Sequence, residues 1–296
     1  MNPERVGRAI AIASMVVSAL LATAKIYIGL KANSTAVVSD GLESAGDLLA
    51  SGLVFFGLLI ASKPPDEKHP YGHGRVETLS GLIVGMMLVA SGALISFRSM
   101  ERASEGQHAP AAYAMWPLVA SIAIKGGMSL TKRYYARKIG SSALLADAWN
   151  DGVDILSGVT ALAAVAITLS DPVQLAAADH IGGAAVGVII IVVGFRVVRD
   201  TTLQLMDTMP DPDSLDHIRQ VGLSVPGVLG VEKCFARKTG LKWHVDLHLE
   251  VDPEMSVFES HEIATQAREK IKSEIDWVAD VLVHVEPHLP TRAGTL

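Results

Sequence analysis

Two stretches of this chain echo each other: Asp40-Gly41-Leu42-Glu43-Ser44-Ala45-Gly46-Asp47-Leu48-Leu49-Ala50-Ser51-Gly52 and Asp147-Ala148-Trp149-Asn150-Asp151-Gly152-Val153-Asp154-Ile155-Leu156-Ser157-Gly158. Both read Asp-x-x-(Glu/Asn)-x-x-x-Asp and end on Ser-Gly. Spacings of three and four put the polar residues of each stretch on one helical face. Each stretch lies inside a long apolar block. Ionisable groups at that depth in a bilayer are costly, so the default reading is functional. Two such helices facing each other offer Glu43, Asp47, Asn150 and Asp154 to one point, an oxygen cage that a cation could neutralise. Helix–helix hydrogen bonding between protonated carboxyls and amides is the bland alternative. Asp40 and Asp147 sit one turn outward, where they could line a path or cap helices. Asp151 lies on another face than Asn150 and is left out of the set.

Composition agrees. Of 296 residues, 50% are hydrophobic and 19% charged, and the mean hydropathy is +0.36. A soluble chain would carry about 25% charged residues. Such an apolar chain is not disordered, and one cysteine, Cys234, forbids an internal disulfide. A transmembrane helix needs ~20 apolar residues. Six blocks qualify, at 8–30, 34–62, 78–98, 111–131, 142–170 and 174–197. The first reads as a retained span and not as a cleaved signal peptide, since no small-residue cleavage site follows it. Arg5, Arg8, Lys63, Lys68, Arg75, Lys132, Arg133, Arg137, Lys138, Arg196 and Arg199 fall on one side, so both termini are expected in the cytoplasm. Lys125 lies inside the fourth block and reads as a snorkelling side chain.

Residues 207–296 differ. They carry 16 acidic and 9 basic residues. That balance argues against nucleic acid and suits cations. Pro210 and Pro212 mark a linker. A short helix at 213–222, strands at 228–238, 241–252 and 278–285, and an amphipathic helix at 256–275 with Ser256 and Glu259 as a capping box give the order αββαβ. The expected fold is thus an α-helical membrane protein of six transmembrane helices (1–206) with a cytoplasmic α+β ferredoxin-like domain (207–296). His244, Asp246 and His248 share one strand face, as do His284 and Glu286. Cys234 could lie on the neighbouring strand, and His261 is on the helix.

The paired segments, together with Asp66-Glu67-Lys68-His69-Pro70-Tyr71-Gly72-His73-Gly74-Arg75-Val76-Glu77, resemble the cation diffusion facilitator family. The string His-x-Tyr-Gly-His-Gly-(Lys/Arg)-x-Glu is specific, and His248-Leu-Glu-Val-Asp and His284-Val-Glu-Pro also look like the family's cytoplasmic domain. The resemblance spans almost the whole chain. It implies a homodimer in the lipid bilayer that exports divalent transition metals in exchange for protons. It implies a transport site at Glu43, Asp47, Asn150 and Asp154, and a loop site at Asp66, His69 and His73, with Glu67 as a spare carboxylate. It also implies a regulatory site at His248, His261, His284 and Glu286 between cytoplasmic domains, with Cys234 and His244 as accessory candidates. A dimer charge pair between Arg75 and Asp207 follows from the same likeness. The family often has histidine where this chain has Glu232.

The family's zinc pattern has histidine in the transport pairs, and this chain has none there. Imidazole and thiolate favour zinc, whereas carboxylate and amide oxygens suit harder ions. The expected cargo is Mn²⁺ or Fe²⁺, with Zn²⁺ next. No organic cofactor is implied. No nucleophile–base pair or phosphate loop points to an enzyme. The rival reading is a non-transporting membrane metal sensor or scaffold. The expected location is a bacterial inner membrane.

Overall fold

The computed structural model describes residues 3–31, 35–101, 115–170 and 176–289. Six long helices come first: α1 (Pro3–Lys31), α2 (Thr35–Ala61), α3 (Arg75–Glu101), α4 (Met115–Ile139), α5 (Ser142–Ser170) and α6 (Ala176–Leu205). Among the described residues, Arg5–Lys31, Ser44–Ala61 and Arg75–Phe97 are long and apolar enough to cross a bilayer by composition alone. The fourth helix runs further than its apolar block. Lys132, Arg133, Arg137 and Lys138, expected in a loop, are helical. A helix satisfies its own backbone hydrogen bonds, so polar side chains do not end it. Gly140 does, with a φ of 70° that favours glycine.

The most extensive pairings are α1 with α2 and α4 with α5; α1 also meets α4, and α2 meets α5. α3 lies against α2 and α5. α3 and α6 approach so closely that a Cβ on Gly92 would sit 2.8 Å from the Gly187 carbonyl oxygen. Small residues permit such backbone contact between helices in lipid.

Glu77 ties α3 to α5. It is fully buried, and its Oε1 accepts hydrogen bonds from Ser141 Oγ and from the Ala143 backbone N–H, both at 2.7 Å. Ser141 Oγ in turn accepts from the Leu144 N–H at 3.1 Å. The start of α5 therefore has one free donor met from another helix and a second by the Ser141 hydroxyl just before it.

The chain divides between Thr202 and Leu203 into two compact units. The second holds α7 (Pro212–Leu223), β1 (Gly230–Thr239), β2 (Lys242–Val251), α8 (Val257–Glu274) and β3 (Val278–Pro287). This is the αββαβ order expected. β1 and β2 run antiparallel around Gly240, whose φ is 68°, and β3 adds parallel to β2 in the order β1-β2-β3. Asp211 caps α7, and Ser256 with Glu259 forms the capping box of α8. Alternate β2 residues, Val245, Leu247, Leu249 and Val251, face a core that Ile218 of α7, Ile263 and Ile271 of α8 and Cys234 of β1 complete. Burial pushes the Cys234 thiol up to about 11. A buried thiol of that kind packs as a small apolar side chain.

Two outcomes follow. Glu77→Ala, which leaves the start of α5 without its acceptor, should destabilise the protein by about 2–4 kcal/mol, seen as a lower melting temperature in detergent. Cys234 should resist a thiol reagent at pH 7.5 in the native protein and react at once on unfolding; rapid native labelling would contradict its place in the core.

Candidate metal centre

The membrane unit buries Asp47 of α2 together with Asn150, Asp151 and Asp154 of α5. Asn150 Nδ2 donates to Asp47 Oδ1 at 2.7 Å. The sequence expected Asp47, Asn150 and Asp154 at one point, and the structure brings them together around a group that was read otherwise. Lys125 of α4 places its Nζ 2.9 Å from Asp47 Oδ2, 2.8 Å from Asp154 Oδ2 and 3.1 Å from Asp151 Oδ1. Its side chain is 1% exposed. A snorkelling lysine would carry its ammonium to water; this one is held inside, because three carboxylates compensate the desolvation of its charge.

Asp151 also belongs to this network. The carboxylate excluded on helical-face grounds reaches Lys125 through Oδ1 and Lys132 through Oδ2, the latter at 2.6 Å. Lys132 Nζ also lies 2.8 Å from Asp147 Oδ2, and Ser51 Oγ donates to Asp147 Oδ1 at 3.0 Å. Asp147 thus neither lines an open path nor caps a helix; it is fully buried against Lys132. Lys125 and Lys132 are seven residues apart, as are Asp147 and Asp154. Seven residues is nearly two turns, so each set stays on one face of its helix. That shared period was the sequence signal for the lysines. Hydropathy alone hides it, because Lys132 falls beyond the end of the apolar block. Asp40 and Glu43 lie on α2, but their side chains fall outside the described residues.

The loop after α2 gathers a second group. One ligand atom each from Asp66, His69 and His73 lies within 4.8 Å of the others. Asp66 Oδ1 accepts from the His69 backbone N–H at 2.7 Å, and His73 Nε2 lies 3.4 Å from Asp66 Oδ2. The backbone and side-chain donors of His69, with the Lys68 N–H, hold the Asp66 carboxyl below the usual carboxylate range. It stays an anion, as a ligand must.

In the second unit, parallel pairing puts His248 of β2 opposite His284 of β3, with ring centres 5.0 Å apart. His248 Nδ1 lies 2.7 Å from Glu286 Oε1, and His284 Nε2 lies 3.7 Å from the same oxygen. The Glu232 carboxyl and the His248 ring, both hydrogen-bonded to Glu286, hold that carboxyl low. His248, His284 and Glu286 form a metal-competent cluster, which His261, exposed on α8, does not join. Cys234 faces the core, away from these polar groups. His244 is half-buried, and burial lowers its affinity for a proton; it belongs to neither cluster found among the described residues. Arg75 starts α3 in the first unit, and Asp207 lies in the second with a φ of 59°.

Comparison with known proteins bears on this arrangement. The family model for the cation efflux transmembrane domain matches residues 11–206. The model for the cytoplasmic domain of cation efflux proteins matches residues 210–288. Metal tolerance protein C1 of Arabidopsis thaliana is 30% identical over 90% of this chain, which spans 59% of that relative's length. Manganese efflux system protein MneP of Bacillus subtilis is 28% identical, with 96% of this chain and 97% of the relative covered. The B. subtilis manganese efflux system protein MneS is 30% identical, with 95% and 96% covered. Both units are matched and both carry metal-ligand chemistry: the chain belongs to the cation diffusion facilitator family, as a multi-pass membrane transporter for the efflux of divalent metal cations and not an enzyme.

Proposed function

We propose that this protein exports Mn²⁺ or Fe²⁺ in preference to Zn²⁺, in exchange for protons, through a site made by Glu43, Asp47, Asn150 and Asp154. The observation that carries the reading is the buried meeting of Asp47, Asn150 and Asp154, with neither imidazole nor thiolate among them. Oxygen donors suit harder divalent ions. The names of two B. subtilis relatives, both manganese efflux system proteins, support the same choice. Glu43 stands four residues before Asp47, on the same face of α2. Half a turn of the Asn150 amide would present its oxygen in place of its nitrogen.

Hydrated metal enters from the cytoplasm and exchanges water for these oxygens. The group α1, α2, α4 and α5 then rocks against a scaffold of α3 and α6. Such rigid motion is a common route to alternating access. Ligands must be deprotonated to bind, so protons on the far side release the metal. Glu43 is the proton carrier in this scheme. The protein acts as a homodimer, with Arg75 and Asp207 as a charge pair at its centre. The protein sits in a bacterial inner membrane with both termini facing the cytoplasm, an orientation that the arginine and lysine distribution supports. The loop group Asp66, His69 and His73 binds metal weakly. His248, His284 and Glu286 sense metal, with His261 contributing across the dimer.

Metal uptake into inside-out vesicles with a pH gradient tests this. Mn²⁺ or Fe²⁺ should move best in the wild type, and Asn150→His should shift preference toward Zn²⁺. A wild type that already prefers Zn²⁺ would end the selectivity argument. Asp47→Ala and Asp154→Ala should each cut transport by about a hundredfold or more while the folded protein persists; full transport by both would remove the site.

A further inference from the structure

Among the carboxylates of the membrane unit, the two that Lys125 holds most closely are two that the cargo would need. We propose that Lys125 is a tethered counter-cation and a specificity-determining residue of the transport site: its ammonium holds Asp47 and Asp154 until a divalent ion displaces it onto Asp151. This rests on the reading of Asp47, Asn150 and Asp154 as that site.

The geometry gives each step a partner. Lys125 Nζ at 2.9 Å from Asp47 Oδ2 and 2.8 Å from Asp154 Oδ2 stands where a metal bridging those oxygens would stand. Only one cation fits there. The displaced ammonium does not need to leave the protein interior. It already touches Asp151 Oδ1 at 3.1 Å, a carboxylate outside the ligand set, and Ser18 Oγ of α1 at 3.4 Å. A flexible four-carbon stem allows that short retreat. Lys132 differs, because both of its partners, Asp147 and Asp151, lie outside the ligand set. It pins α4 to α5 whether or not cargo is present.

Charge sets the selectivity. Four aspartates and two lysines make up the ladder, a net of two negative charges for these groups. A divalent ion that enters while Lys125 stays on Asp151 brings the ladder to neutrality. A monovalent ion offers the carboxylates no more charge than the ammonium already there. It must also give up translational freedom, whereas the tethered group sits at high effective concentration. A divalent ion doubles the Coulomb attraction at equal distance. Lys125 therefore sorts ions by valence, and the oxygen donors sort among divalents. A carrier returning without cargo also keeps Asp47 and Asp154 compensated.

The test uses the full chain in proteoliposomes with Mn²⁺ as cargo. Lys125→Gln removes the competitor, so KM should fall about tenfold or more, kcat should fall as release slows, and excess Na⁺ should now inhibit. Lys125→Gln with Asp151→Asn keeps the ladder's net charge and guards against misfolding; it should show the same fall in KM. Lys125→Arg installs a competitor able to grip carboxylates in bidentate fashion and should raise KM. Opposite KM shifts for the neutral and arginine variants are what a purely structural lysine would not produce. An unchanged or higher KM in both neutral variants, without Na⁺ sensitivity, overturns the proposal. Wild-type transport by Asp47→Ala would instead sink the transport-site reading, and this proposal with it.

Discussion

An ammonium that is 1% exposed and lies within 3.1 Å of three carboxylates governs how the membrane unit can be built. Charges taken out of water cost several kcal/mol each unless paired, and removing one partner of such a pair costs about 3–5 kcal/mol. Lys125 and Lys132 on one helix and Asp147, Asp151 and Asp154 on the next meet that constraint by facing each other along an antiparallel hairpin. The turn at Gly140 and Ser141 sets the register, and Glu77 of α3 fixes where α5 begins. A slip of one residue along α5 would rotate every carboxylate about 100° away from its partner. The hairpin turn and the ion-pair ladder are thus set together.

That arrangement explains how several carboxylates can be buried together in the membrane unit. Four aspartates facing one another in hydrocarbon would repel. With Lys125 and Lys132 among them most of that repulsion is compensated, and a net of two negative charges remains. The cytoplasmic unit solves a different problem. Its core is conventional: β-strand alternation, two capped helices and a buried cysteine. Its polar face carries His248, His284 and Glu286 at a position fixed by the parallel register of β2 and β3. Those groups lie on one face of the sheet across its central strand β2 and the neighbouring β3, with His284 exposed and His248 and Glu286 half-buried. In the membrane unit, by contrast, the carboxylates are buried and paired with lysines.

Much was legible because local rules dominate. Apolar blocks long enough for a bilayer, period-two strands, the Ser256–Glu259 capping box and the Thr239-Gly240 turn each write their structure into neighbouring residues. The echo of Asp40–Asp47 in Asp147–Asp154 was legible for the same reason: spacing along one helix fixes one face. Less legible were the partners. Lys125 looked like a lysine on its way to the interface, because nothing along α4 shows that α5 waits opposite with three acids. Asp151 falls outside the set on a helical wheel, which shows which residues share a face and not how wide a face a neighbouring helix covers. Here α2 and α4 both pack on α5, so a residue off the α2-facing line still meets α4.

The sequence by itself determined the two-part architecture, the cytoplasmic αββαβ order, the family, and the residue types available to a metal. These depend on composition and on short-range periodicity, which a linear chain carries in full. The tertiary structure alone decided which cations compensate the buried acids, that Glu77 is a fastening between helices, and that Cys234 belongs to a core while His248, His284 and Glu286 form a cluster. Pairing between helices depends on their relative rotation and register, and those are set by packing and by the cost of burying charge, which no single segment encodes.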